Sequence, residues 1–176
     1  MGLESVVAEK KSAIVKRWFD LSIKTYPEET AGFLKNKKNR FANPVGHILF
    51  QELGSIIEGL FQGDDVNTLQ PFLDNIIRIR AIQDFSASQA VAFVFLLKEV
   101  IREELAQEVE ENRIGKALLD FESRIDALAL LAFDVFMKCR EKIYDLKANE
   151  LQNRTVRLLK RAKLVVEDPP GTPSVS

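Results

Sequence analysis

A single histidine and a single cysteine stand among 176 residues, and that scarcity excludes most site chemistry. A structural zinc site needs four Cys or His ligands, and a helical di-iron bundle needs paired Glu-x-x-His motifs. Neither can be assembled from His47 and Cys139. A Ser/His/Asp or Cys/His nucleophile can still be written with them, but both residues sit in ordinary helical contexts. One cysteine also rules out an internal disulfide. The eight glycines are scattered, with no G-x-G-x-x-G and no Walker pattern, so no phosphate cradle is encoded.

Net charge is scarce too. Lys and Arg total 25 against 26 Asp and Glu, a formal net charge of −1. That balance creates no field to draw in nucleic acid or an anionic membrane. The apolar runs are too short to span a bilayer, which takes about 20 residues, so no membrane insertion is expected. Met1-Gly2-Leu3-Glu4 does not read as a signal peptide, and Val6 breaks the myristoylation pattern that Gly2 would open. A cytoplasmic, all-α protein without catalytic machinery or cofactor is the expectation.

What is present centres on residues 71–105. Two helices meet at Asp84-Phe85-Ser86, and Ser86 followed by Gln89 matches the capping box, whose side chains satisfy orphan amides at a helix start. Ala90, Val94, Leu97, Ile101 and Leu105 then recur along one helical face, while Phe93, Leu96 and Val100 add a second. Val91 to Leu97 has no polar side, which predicts a core helix buried all round.

Upstream, a helix is predicted from Leu3 to Thr25, with Ile14, Trp18, Leu21 and Thr25 along one side. Tyr26-Pro27 ends it, because proline disfavours helical geometry in the residue before it. A short helix over 28–35 precedes the basic loop 35–40, read as solvated. Asn43-Pro44 starts the next helix, with Val45, Leu49, Leu53, Ile56 and Leu60 as its stripe and Gly63 as its stop. Gly46, Gly54 and Gly59 within it suggest close approach of a neighbouring backbone. Thr68 is expected to cap a helix carrying Leu69, Leu73, Ile76 and Ile79, with Asp74/Arg78 and Arg80/Asp84 as i, i+4 pairs. Those pairs favour a structural role for both arginines over a carboxylate or phosphate ligand.

Asn112 is predicted to cap a long last helix. Ile114, Leu118, Phe121, Ile125, Leu128, Ala132, Val135 and Cys139 alternate spacings of 4 and 3, the repeat of helices that pack side by side. Beyond Cys139 that seam breaks, and a thinner one follows through Tyr144, Ala148, Leu151, Thr155, Leu158, Ala162 and Val165. The expected divisions are a core over 1–140, a projecting amphipathic helix over 141–166, and a disordered tail over 167–176. The basic end, Arg154 to Lys163, suits a helix C-terminus better than nucleic acid.

Trp18 with Tyr26-Pro27, the run Asn43-Pro44-Val45-Gly46, and above all Ile79 to Val91 (IRAIQDFSASQAV) resemble the N-terminal sensor domain of the RsbR type. These are the RsbT co-antagonists of bacterial stressosomes. The likeness covers roughly residues 10–140. It implies a globin-like helical bundle without haem, with a long C-terminal helix extending beyond the core, dimeric through its last helices. A haem globin needs an axial ligand on the helix before the core helix, and residues 68–84 contain no His, Cys, Met or Tyr. Stressosome members continue into a STAS domain that these residues do not include, so its phospho-switch does not carry over.

The resulting expectation is a non-catalytic signal-sensing domain of the stress response. It would be a homodimer joined along Ile114, Leu118, Phe121, Ile125, Leu128, Leu151 and Leu158, transmitting through the last helix. The alternative is a stand-alone adaptor docking an unidentified regulatory protein through that helix. A small-molecule pocket, its ligand undefined, is placed by globin analogy between the helix starting at Asn43 and the two helices of residues 71–105. Trp18, His47, Phe50 and Arg80 are its expected lining.

Overall fold

The computed structural model describes residues 3–35, 43–83, 85–110, 114–162 and 164. Among them are seven α-helices and no strand: α1 Leu3–Ile23, α2 Glu28–Lys35, α3 Pro44–Gln62, α4 Gln70–Ile82, α5 Ala87–Glu104, α6 Ala106–Glu110 and α7 Gly115–Arg161. A 3-10 turn, Val66–Leu69, precedes α4. The chain divides into two compact units, Met1–Arg140 and Glu141–Ser176.

In the first unit α1 packs against α3 and α5, and α3 against α4. Trp18 on α1 is fully buried, its indole N–H donating to the Phe93 carbonyl of α5 at 2.6 Å. α7 joins the core through α3 and α5. Phe121 stacks on Phe61 at 4.4 Å, Glu122 takes a two-pronged bond from Arg102 at 2.6 and 2.8 Å, and Lys98 pairs with Asp126. Arg124 donates to the Leu60 carbonyl in the last turn of α3 and to the Asp64 carbonyl just past it, where a cation suits the helix dipole.

The strongest local signals hold. Ser86 caps α5 with the complete capping box. Asn43 caps α3 by accepting from the Gly46 N–H, while its amide donates to the Phe33 and Leu34 carbonyls and so ties α2 to α3. Gly63 takes the left-handed conformation at φ 80° that ends α3. Of the three glycines inside α3, Gly46 does face close backbone, since a Cβ there would lie 2.6 Å from the Leu34 oxygen. Gly59 faces the Leu69 side chain, and Gly54 faces open space.

Other expectations need correction. Thr68 caps nothing: its hydroxyl donates to the Asp65 carbonyl inside the 3-10 turn, whose cap is Asp65. The start of α4 is set by Pro71, which supplies helical φ and lacks an amide to satisfy. Nor is α5 buried all round, because Phe95 is 48% exposed. The predicted cap Asn112, residues 36–40 of the basic loop, and the tail from 167 lie outside the described residues.

Within the second unit, α7 continues to Arg161 with almost every described side chain exposed, including Tyr144, Leu151 and Leu158. Its helix is set by the propensity of its Glu, Lys, Arg, Gln, Ala and Leu residues rather than by burial. Among the described residues, no helix is long and apolar enough to cross a membrane.

Candidate functional site

Arg80 occupies a position that periodicity reserves for a core side chain. Leu73 and Ile76 follow the buried face of α4, and the next step of four lands on Arg80. The guanidinium is therefore carried inward and is fully buried. Taking a cation out of water costs several kcal/mol unless it is paired. No carboxylate among the described residues pairs with it. Its Nη atoms donate to the Gln89 and Ser22 carbonyls, both at 3.3 Å, and its Nε has no partner. The Ser22 hydroxyl beside it is likewise buried without one.

Aromatic rings supply much of the compensation. The guanidinium carbon lies 4.7 Å from the Tyr26 ring centre, 4.7 Å from Phe93 and 5.2 Å from Phe85, within the range where ring quadrupoles attract a cation. Burial pushes the Arg80 pKa below its usual value, an effect the neighbouring Tyr26 phenol opposes. Burial likewise raises the Tyr26 pKa, and Arg80 opposes that. Tyr26 and Phe85 meet edge to face at 5.2 Å.

These two rings are also walls of a pocket of about 400 Å³ lined by Thr25, Tyr26, Pro27, Thr30, Gln83, Phe85 and Gln89. It lies where the α1–α2 link faces the α4–α5 link. The most distinctive segment, Ile79 to Val91, supplies Arg80, Phe85, Gln83 and Gln89, and the α1–α2 link supplies Tyr26 and its neighbours.

The four residues expected to line one pocket divide into two pairs. Trp18 and Arg80 share Phe93: Trp18 stacks on it at 6.0 Å and Arg80 lies over it. His47 and Phe50 instead line a groove of about 560 Å³ between α1 and α3, with Ser12, Val15 and Gly54. Phe50 meets Phe19 edge to face at 5.5 Å. Neither this groove nor the pocket beside Arg80 lies between α3 and the α4–α5 pair. The local partners expected of the arginines also divide: Arg78 pairs with Asp74 at 2.6 Å, whereas Arg80 turns inward, and Asp84 lies outside the described residues. Sequence reading missed the cage of Tyr26, Phe85 and Phe93; its signal was an arginine in an apolar register.

A second candidate surface lies on the face of α5 and α7. Ile114, Leu118, Phe121, Ile125 and Leu128 are buried against the chain's own helices. The apolar groups that α7 leaves outward in the first unit are Leu119, Leu130, Phe133 and Met137. Leu130 is 71% and Phe133 44% exposed, and with Phe95, Val91, Ala92 and Ala129 they line a groove of about 760 Å³.

Among the described residues no group of three or more His, Cys, Asp or Glu is arranged to hold a metal ion. Residues 12–151 match the RsbT co-antagonist protein rsbRD N-terminal domain. The chain belongs to that family. The match takes in the Arg80 pocket, the α5–α7 face and the start of the second unit. An uncharacterised protein of Archaeoglobus fulgidus is 23% identical over 145 residues, covering 80% of this chain and 83% of its own. No solved structure matches the chain. The rsbRD N-terminal family is one of regulatory, stress-signalling domains.

Proposed function

We propose that this chain is a non-catalytic, cytoplasmic signal-sensing domain. It has a globin-like core without haem, works as a homodimer joined across the α5–α7 face, and passes a change in its core along α7. One observation carries the reading. Phe95, Leu130 and Phe133 converge on one apolar groove on a helix pair joined elsewhere by two ion pairs. Contiguous exposed apolar surface of this kind marks an interaction site, and an isologous contact lets the same patch serve both copies. Leu151 and Leu158, exposed on the same helix and seven residues apart, suit a two-stranded seam whose weak neighbours Ala148, Thr155 and Ala162 leave it dependent on the upstream contact.

Contacts between α7 and the core support the transmission reading. Arg102–Glu122 and Lys98–Asp126 fix α7 to α5, and Arg140 of α7 donates to the Ala81 carbonyl at the end of α4. A shift at the end of α4 would be felt by α7 through Arg140, and a shift of α5 through the two ion pairs, since packed helices move between discrete arrangements. The combined Leu130→Asp and Phe133→Asp variant tests the interface, since both side chains are outward and their replacement spares the core. It is expected to run as a monomer with unchanged helical circular dichroism. A dimer as tight as the unmodified protein's would contradict the proposed face.

The adaptor reading rests on Leu146, Leu151, Leu158 and Leu159, all exposed on the second unit. Leu151→Asp with Leu158→Asp separates the two. Loss of dimer stability or of signal response favours transmission; an unchanged dimer and response, with loss of binding to a regulatory protein, favours the adaptor.

A further inference from the structure

We propose that Arg80 and the pocket in front of it bind the carboxylate of a small organic acid. The guanidinium is buried, carries no carboxylate partner among the described residues, and keeps its Nε free of any hydrogen bond. Two of the three rings that enclose it, Tyr26 and Phe85, also face the pocket. The cation thus sits one ring's thickness behind a cavity of small-molecule size.

The lining selects the ligand class. Thr25, Thr30, Gln83 and Gln89 bring neutral donors and acceptors, while Tyr26, Pro27 and Phe85 bring apolar walls. Gln89 spends its amide oxygen on the Ser86 N–H, so its NH₂ is the group it offers the pocket. Among the described residues no Lys or Arg lines it, and the nearby cation is Arg80 behind the Tyr26 and Phe85 rings. One positive charge and mixed walls suit a monoanion with an apolar body, and a planar carboxylate matches the fork of a guanidinium. A phosphate dianion would lack a second cation.

Entry requires one ring to move, and Phe85 is the ring placed to do so. It lies in the link between α4 and α5 and is part-exposed, whereas Tyr26 is almost wholly buried. Ser86, next in the chain, caps α5 and lines the groove shared with α7. Displacing Phe85 would therefore disturb the start of α5 at the face proposed to join two copies. The binding site itself does not rest on that proposal.

The probe is benzoate, compared with inorganic phosphate and with chloride at equal ionic strength. Trp18, the chain's one tryptophan, stacks on Phe93 beside Arg80 and reports binding by its emission. Benzoate is expected to change that emission saturably and to raise the thermal midpoint, with phosphate far weaker. Arg80→Met, which keeps the volume and removes the charge, is expected to abolish the response while the protein still unfolds cooperatively. Exposed Gln83 offers a variant that spares the core: Gln83→Glu adds a like charge at the pocket and is expected to weaken benzoate roughly threefold or more, the penalty growing at low salt.

Three results would overturn the site: no response to benzoate, an unchanged response in folded Arg80→Met, or unchanged affinity in Gln83→Glu. A preference for phosphate would overturn the carboxylate assignment. The titration repeated on the Leu130→Asp, Phe133→Asp variant separates the two proposals. A monomer that still binds benzoate supports the site and keeps it independent of the dimer; loss of binding there overturns that independence.

Discussion

Trp18 and Phe93 are joined twice, by a 2.6 Å hydrogen bond from the indole N–H to the Phe93 carbonyl and by stacking of their rings at 6.0 Å. This pair fixes α1 against the middle of α5. Trp18→Ala is expected to cost about 3–5 kcal/mol, as deletion of a buried large aromatic does. Trp18→Phe keeps most of the ring and loses the donor, so about 1–2 kcal/mol is expected. Urea unfolding of the two variants, compared at constant slope, checks the order. A Trp18→Phe variant as stable as the unmodified protein would show that the hydrogen bond contributes nothing; equal losses in the two variants would show that the retained ring contributes nothing.

Two glycines of α3 are expected to answer the same substitution with opposite signs. Gly46→Ala drives a methyl against the Asn43 side chain and the Leu34 carbonyl, which disrupts the α2–α3 tie and is expected to destabilise by about 1–3 kcal/mol. Gly54→Ala meets open space and is expected to stabilise by about 0.4–1 kcal/mol through helix propensity and a less flexible unfolded chain. Thermal unfolding midpoints measure both.

The alkaline limit should carry the signature of Tyr26. Its pKa is raised above the ordinary value of 10.0, chiefly by burial, so the folded state holds a proton that the unfolded chain releases. Stability from this group is complete below pH 10 and is lost as pH rises through the folded pKa. Urea unfolding from pH 8 to 11 is expected to show a decline above about pH 10, with a smaller decline in Tyr26→Phe. An identical decline in the variant would assign the effect to other groups.

Local chemistry made much of the fold readable. Capping residues, Pro44 and Gly63 act through bonds within a few residues, so Ser86–Gln89 and Asn43 announced their helices directly. Tyr26-Pro27 marked the first break in the same way, although α1 itself stops at Ile23. Pairwise tertiary geometry was less legible. The 4–3 spacing of Ile114, Leu118, Phe121, Ile125 and Leu128 states that α7 packs along one face. Periodicity does not say whether the facing helix belongs to the same chain, and here it does. The exposed Phe95, Leu130 and Phe133 were hidden for the complementary reason, since an apolar residue off the main stripe looks like added core.

The candidate site was legible in one residue and illegible in its surroundings. Arg80 follows Leu73 and Ile76 in the buried register of α4, which marks it as an inward cation. Its rings come from Tyr26, Phe85 and Phe93, and only the fold joins those positions. His47 and Phe50 were grouped with Arg80 by fold analogy, and α3 carries them to the groove beside α1 instead.

Light scattering coupled to size exclusion, run across a hundredfold range of protein concentration, tests the central claim most directly. The account predicts a mass of twice the 20.0 kDa chain throughout the upper part of that range, falling to a single chain when Leu130 and Phe133 are both replaced by aspartate. A mass of one chain at every concentration in the unmodified protein would contradict it.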